Sequence, residues 1–155
     1  MPVLVVTRKE GPTLRARDNR HTVHRIVEEF WQSHARNPAV VDEVFAPDYV
    51  NHDLSTSSVR GLEQFKGWAV GLRASWGRGF PDYRITIEDL IAEEDRVAIR
   101  WTFRGTHMGE FMGIAPTRRQ VTMRAIAIYH FSGGKVTDIW WNYDAAGLIQ
   151  QLAAG

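Results

Sequence analysis

Val121-Thr-Met-Arg-Ala-Ile-Ala-Ile-Tyr-His-Phe131, then Ser132-Gly-Gly-Lys135 and Val136-Thr-Asp-Ile-Trp-Trp-Asn-Tyr143, decides the fold class of this 155-residue chain. Val121, Met123, Ala125, Ala127, Tyr129 and Phe131 recur at every second position, the period of a strand with one buried face. The polar Ser132–Lys135 stretch reads as a hairpin turn. With Gly134 in the left-handed position of a three-residue loop carrying a bulge, Phe131 pairs with Lys135, Ala127 with Ile139 and Ala125 with Trp141. These side chains, with Val121, Met123, Tyr129 and Tyr143, then share an apolar face of the kind that lines a pocket. The opposite face carries Arg124, Ile126, Ile128, His130, Asp138, Trp140 and Asn142, a mixture suited to a dimer surface.

Upstream, the same two-residue period marks Ile85 and Ile87, then Val97, Ile99, Trp101 and Phe103, joined by a polar turn at Glu93-Glu-Asp-Arg96. Gly105 to Gln120 is a longer, glycine-rich connection. Before Pro81 the period is helical instead. Val23, Ile26, Val27, Phe30 and Trp31 form one stripe of a helix from about Thr22 to Arg36. Asn37-Pro38 reads as an N-cap and first-turn proline of a short helix through Val44 to Phe45, stopped by Pro47. Asp48 to Asp53 is extended. Phe65, Ala69, Leu72 and Trp76 mark a second helical face from Leu62, closed by Gly77, Gly79 and Pro81. Asp144 precedes a closing helix from Ala145 to Leu152. Helices followed by an antiparallel meander is an α+β order. A curved sheet with helices on its concave side leaves a cleft suited to a small molecule, which the six tryptophans either line or fill as core.

Composition narrows the function. Nineteen basic and eighteen acidic side chains nearly cancel, so no global field draws the chain to nucleic acid or an anionic membrane. No apolar run approaches the roughly 20 residues of a membrane span, and Met1-Pro-Val-Leu-Val-Val6 lacks the features of a secretory signal. The absence of cysteine removes disulfides and thiolate chemistry and is compatible with the cytoplasm. Residues 1–20, with Arg8, Lys9, Arg15, Arg17 and Arg20 around Gly11-Pro12, read as a flexible basic arm, either a solvated tail or a holder for an acidic partner. Residues 21–155 read as one domain. Motifs for nucleotide cofactors and serine hydrolysis do not occur, and His21, His24 and His34 are not spaced as metal ligands. No cofactor or metal is expected.

Gly105-Thr-His-Met-Gly-Glu-Phe-Met-Gly-Ile-Ala-Pro-Thr117, Val121 through Phe131, Gly134-Lys-Val136, Trp140, Asn142, Asp144, Gly147 and Gln150-Gln-Leu152 together resemble the SnoaL-like polyketide cyclases. Tyr49-Val-Asn-His-Asp53 and Gly61-Leu-Glu-Gln-Phe65 resemble the same family's first strand and second-helix entry. The resemblance implies an NTF2-like cone, a homodimer, and a deep apolar cavity that acts without a cofactor on polyketide-derived rings. It also implies an intramolecular aldol reaction, with an aspartate taking a carbon-bound proton and histidine and glutamine polarising a carbonyl. In this chain those polar places align with Ala125, Ala127, Ile139 and Trp141, none of which transfers a proton.

Four other residues are therefore candidate catalysts. His52, between Asn51 and Asp53, is a proton-transfer group or a hydrogen-bonded structural histidine. Tyr49 orients a carbonyl or is satisfied internally, Tyr143 offers a phenol, and Asp144 is either a desolvated base or a helix cap. The expected substrate wall comprises Asn51, Trp101, Phe103, Met123, Ala125, Ala127, Tyr129, Ile139 and Trp141. His107 and Glu110 cover the pocket mouth or hold the turn, and His130 faces outward. The expected activity is cyclisation or isomerisation of an apolar cyclic small molecule. The alternatives are the family's hydroxylation-associated branch and a non-catalytic binding module.

Overall fold

The computed structural model describes residues 11–35, 37–53 and 59–154. The first helix, α1 (Leu14–Arg25), starts well before Thr22: the Thr13 hydroxyl accepts from the Ala16 N–H at 3.2 Å and caps it. Ala16, Asn19 and Val23 are buried, Asn19 Nδ2 donates to the Glu94 carbonyl at 3.0 Å, and Arg15 pairs with Asp95 at 3.2 Å. The expected loose arm therefore does not extend over Leu14–Arg20. One apolar position per turn with an anchoring amide was too sparse a pattern to register as a stripe. Residues 1–10 of that arm lie outside the described residues.

The helix continues as a π-helical turn over Ile26–Trp31, its end marked by the Gln32 N–H donating to the Val27 carbonyl at 3.1 Å. Tertiary bonds hold this end in place. Tyr83 Oη donates to the Trp31 carbonyl at 2.6 Å, and Arg73 donates to the Gln32 and Ala35 carbonyls. The short α2 (Val40–Val44) begins later than expected, with Ala39 at its N-cap position and no side-chain cap, and the Asn37 Nδ2 donates to Glu29 at 2.6 Å. The following strand, β1 (Phe45–Asn51), contains Pro47, which ends no helix but lies where the pairing register slips, on a sheet edge that tolerates a missing N–H. Then come α3 (Leu62–Gly79), β2 (Arg84–Glu93), β3 (Arg96–Thr106), β4 (Gln120–Ser132), β5 (Lys135–Tyr143) and α4 (Ala145–Ala153).

The sheet order is β1-β5-β4-β3-β2. The meander from β2 to β5 is antiparallel, as the alternation predicts, but β1 joins β5 in parallel, so the sheet is mixed. The last hairpin also differs in register. Gly133 and Gly134, at φ 57 and 78, form a two-residue turn closed by the Ser132–Lys135 pair, and the bulge falls at Thr137. Ala127 consequently lies opposite Trp141, Ala125 opposite Tyr143 and Tyr129 opposite Ile139. From Asp138 onward the slip is two residues, so Ile139, Trp141 and Tyr143 keep their face; nearer the turn it is one residue, and Val136, not the expected Lys135, lies opposite Phe131 and is buried. Val121, Met123, Ala125, Ala127, Tyr129, Phe131 and Ile139 are all buried, whereas Ile126, Ile128 and Trp140 are exposed on the other side.

One side chain closes the free edge of the sheet beside the core. Buried Gln32 donates from Nε2 to the Ile85 carbonyl at 2.6 Å and accepts the Ile85 N–H at 3.0 Å, standing in for a sixth strand. Gln32→Leu leaves both backbone groups buried without partners and is expected to lower stability by about 2–4 kcal/mol. Urea titration checks this as a lower midpoint with an unchanged slope.

Candidate functional site

The inward faces of β3, β4 and β5 meet α3 and α4 around a cavity of about 250 Å³. Trp68, Leu72, Ser75 and Trp76 of α3 follow i, i+4, i+7, i+8 spacing and form one wall. Trp101 of β3, Met123 of β4, and Trp141 and Tyr143 of β5 form the facing wall. Ala145 and Leu148 of α4 and Phe111 and Met112 of the β3–β4 connection complete it. Behind Trp76, Trp101 and Trp141 a void of about 20 Å³, with room for about one water, is lined by Val27, Trp31, Ile85, Ile99 and Tyr129. The indole rings touch in series: Trp68 to Trp141 at 5.5 Å, Trp141 to Trp31 at 5.8 Å and Trp31 to Trp76 at 5.7 Å. Such edge and tilted contacts make a stiff aromatic wall.

Among the described residues, Asp53 is the only carboxylate in the wall of the larger cavity. It is buried, two residues beyond Asn51 of β1. The parallel register sets Val50 beside Asp138 and Asn51 beside Ile139, so Tyr49, Asn51 and Asp53 point inward while His52 points outward. The segment's expected proton-transfer group is thereby corrected. His52 lies on the outer face, its Nε2 2.9 Å from Asp138 Oδ1 and its ring stacked on Trp140 at 4.1 Å, with His130 4.5 Å from that indole.

The other candidates separate as well. Tyr49 is fully buried among Phe45 and Phe65, ring centroids 5.0 and 4.7 Å away, and forms core, not cavity wall. Burial, aided by nearby Tyr129, Asp138 and Asp53, pushes its phenol far above the ordinary range and keeps it neutral. Asp144 is exposed and accepts the Gly147 N–H at 2.8 Å, the helix-capping role, which is typically worth about 1 kcal/mol. Tyr143 does line the cavity and is partly exposed. Of the expected substrate wall, Trp101, Met123 and Trp141 line the larger cavity and Tyr129 the small void. Asn51, Phe103, Ala125, Ala127 and Ile139 are buried on the same side but packed as core, Phe103 stacking on Tyr83 at 5.0 Å. His107 is a buried anchor of the β3–β4 connection, its Nδ1 accepting from the Thr117 N–H at 3.1 Å, and Glu110 is exposed.

The α3 wall and Asp53 were missed by the sequence reading. Trp68 and Ser75 flank the apolar stripe of α3, and the inward parity of Asp53 is legible only once the strand's sidedness is known. No group of three or more His, Cys, Asp or Glu placed to hold a metal occurs among the described residues, and none of their helices is long and apolar enough to cross a membrane.

The outer pair makes a pH-dependent prediction. Burial raises the Asp138 carboxyl, but hydrogen bonds from His52 and Thr137 outweigh it and hold the group below its ordinary value of 3.8. A depressed carboxyl adds stability above its ordinary value and loses it as pH falls through the depressed one. His52→Ala is expected to move the Asp138 titration upward, followed by carboxyl-carbon NMR. It should cost less than about 1 kcal/mol at neutral pH and leave ligand affinity unchanged.

A family model described as SnoaL-like polyketide cyclase matches residues 21–152. The aklanonic acid methyl ester cyclase AcmA of Streptomyces galilaeus is 31% identical over 117 residues, which cover 74% of this chain and 76% of that protein. A structure from Jannaschia sp. CCS1, named as a SnoaL-like polyketide cyclase, superposes with a TM-score of 0.80 over 94% of this chain and 99% of its own, at 23% identity. AclR of Streptomyces galilaeus, named as a hydroxylase, superposes with a TM-score of 0.74 over 90% and 83% of the two chains, at 26% identity. The α+β cone with its curved, unclosed sheet is thus the NTF2-like architecture, and the match over most of its length makes this chain a member of the SnoaL-like polyketide cyclase family.

Proposed function

We propose that this protein is a cofactor-independent cyclase or isomerase acting on a polyketide-derived or other apolar cyclic small molecule in the cytoplasm. The observation that carries this reading is the cavity of about 250 Å³ walled by Trp68, Trp76, Trp101 and Trp141, with few polar groups. Flat indole faces favour a flat, unsaturated ligand and exclude water from it. AcmA, by its name, closes a ring on aklanonic acid methyl ester, and a substrate of comparable shape suits these walls. Holding a flexible chain in one reactive conformer supplies much of such a ring closure, up to about 7–11 kcal/mol in ideal intramolecular cases. In this reading the Tyr143 phenol, which lines the cavity and is partly exposed, donates to a substrate carbonyl.

The likeness to AclR favours a second reading, hydroxylation-associated tailoring. The two are separated by product mass: ring closure leaves the mass unchanged or subtracts water, whereas hydroxylation adds one oxygen. A panel including aklanonic acid methyl ester is expected to quench tryptophan fluorescence and give ring-closed products. Leu72→Trp, which adds bulk to the α3 wall, is expected to weaken binding at least tenfold without unfolding the chain. Tight binding with no product from any member would identify a binding module instead.

A second copy of the chain is the proposed partner of the outer sheet face. Ile126 and Ile128 stand 54% and 41% exposed in the middle of the sheet, beside Trp140. Branched apolar side chains grouped on a flat face mark a contact surface. Ile126→Lys combined with Ile128→Lys is expected to convert a dimer to monomer in sedimentation velocity; an unchanged sedimentation coefficient would refute this assignment.

A further inference from the structure

We propose that the Asp53 carboxylate is the proton-transfer group of the cavity, supplied by the segment that follows β1, beside a strand β5 whose inward residues include no carboxylate. The inference rests on the cyclase reading above and gives it a catalytic residue. On β5 the inward positions are Ile139, Trp141 and Tyr143, and opposite them on β4 lie Tyr129, Ala127 and Ala125. None of these is a carboxylate. Asp138, the only carboxylate of β5, faces outward against His52, and Asp144 is engaged with the Gly147 N–H.

The adjacent strand supplies what these positions lack. Because Asn51 lies beside Ile139 and the His52 N–H donates to the Ile139 carbonyl at 2.8 Å, the next inward residue of the chain, Asp53, arrives at the level of Trp141. There it lines the cavity with Trp68, Trp141 and Tyr143, 6% exposed. A carboxylate and a phenol lining one aromatic wall are the two kinds of group needed to move a proton from carbon to oxygen.

The pair suits the substrate class of the cyclase reading. That class is a carbon acid whose C–H lies between two carbonyl groups. One Asp53 oxygen takes this proton, and the released electron pair forms a carbon–carbon bond to another carbonyl carbon of the same molecule. The π electrons of that carbonyl move onto its oxygen, which accepts a hydrogen bond from Tyr143 and then receives the proton back from Asp53. The product is an isomer of the substrate, and the balance needs no oxidant, reductant or co-reactant.

The test uses ethyl α-methylbenzoylacetate, a β-keto ester with one acidic C–H and no second carbonyl arm on which to close. The wild-type chain is expected to speed deuterium uptake at that carbon from heavy water, followed by NMR. Asp53→Asn should lower the enzymatic rate about 100-fold or more while the probe still quenches tryptophan fluorescence with an affinity within about threefold. His52→Ala should leave the rate unchanged. Should the Asn variant not fold, Asp53→Glu carries the test. In a folded chain, its displaced carboxylate lowers the rate at least tenfold under the proposal and leaves it unchanged if Asp53 is structural. Equal exchange in wild type and Asp53→Asn overturns the proposal, as does a probe bound by wild type without exchange. Asp53-dependent exchange together with failure to cyclise any polyketide ester supports the proton-transfer role while sinking the cyclase reading. A wild-type chain that does not bind the probe overturns both.

Discussion

The site depends on one parallel pairing in an otherwise antiparallel sheet. β1 meets β5 with Asn51 beside Ile139, and this contact sets the sidedness of the segment Tyr49-Val-Asn-His-Asp53. A pleated strand sends alternate side chains to opposite faces, so the choice is all or nothing. Tyr49, Asn51 and Asp53 are committed to the apolar side, and His52 to the outside. A slip of one residue would exchange the two sets, placing an imidazole in the aromatic chamber and exposing Tyr49. The Tyr49 ring, fully buried against Phe45 and Phe65, opposes that slip through the apolar area it would bring into water.

The chamber persists because its walls are held from behind. The π-helical end of the first helix is tied to the sheet by Tyr83 Oη on the Trp31 carbonyl and by the two bonds between Gln32 and Ile85. Those bonds place the Trp31 indole against both Trp76 and Trp141. From there the rings brace one another across helix α3 and strands β3 and β5. Rigid aromatic rings tile a curved sheet imperfectly, and the residual space is the cavity. A core of flexible aliphatic side chains would close much of that space by changing rotamers. The same packing separates two populations of polar groups. Inside are a carboxylate and a phenol at the cavity wall; outside is the His52–Asp138–Trp140–His130 cluster, where solvent and mutual hydrogen bonding satisfy the charges.

At the centre of the sheet Ala125, Ala127 and Ile139 are buried, and Trp141 packs partly buried against the same core. The proposed chemistry is therefore assigned to the chamber's edge. That edge is where β1 ends, where Tyr143 meets helix α4, and where the β3–β4 connection contributes Phe111 and Met112. Chemistry at an edge suits an elongated ligand whose bulk lies between tryptophans while one reactive portion reaches the rim.

The helical period before Pro81 and the two-residue period after it by themselves determined the α+β class, the strand order of the meander and which face of the last strands is buried, because both periods are local properties of the backbone. Placing the bulge at the glycines instead of at Thr137 shifts the pairs beyond Asp138 by two residues and leaves their faces unchanged, while beside the turn it exchanges Lys135 for the buried Val136. Trp101, Met123, Trp141 and Tyr143 were accordingly legible as cavity residues. The role of Asp144 stayed open between base and cap until its bond to the Gly147 N–H appeared. Only the tertiary structure decided which residues of the Tyr49–Asp53 segment enter the chamber, since that depends on a partner strand some ninety residues away. Only it showed that α3 contributes Trp68 and Ser75, because the orientation of a helix about its axis is set by what it packs against. Local periodicity records which side chains avoid water; which of them meet one another is a long-range contact that no local pattern encodes.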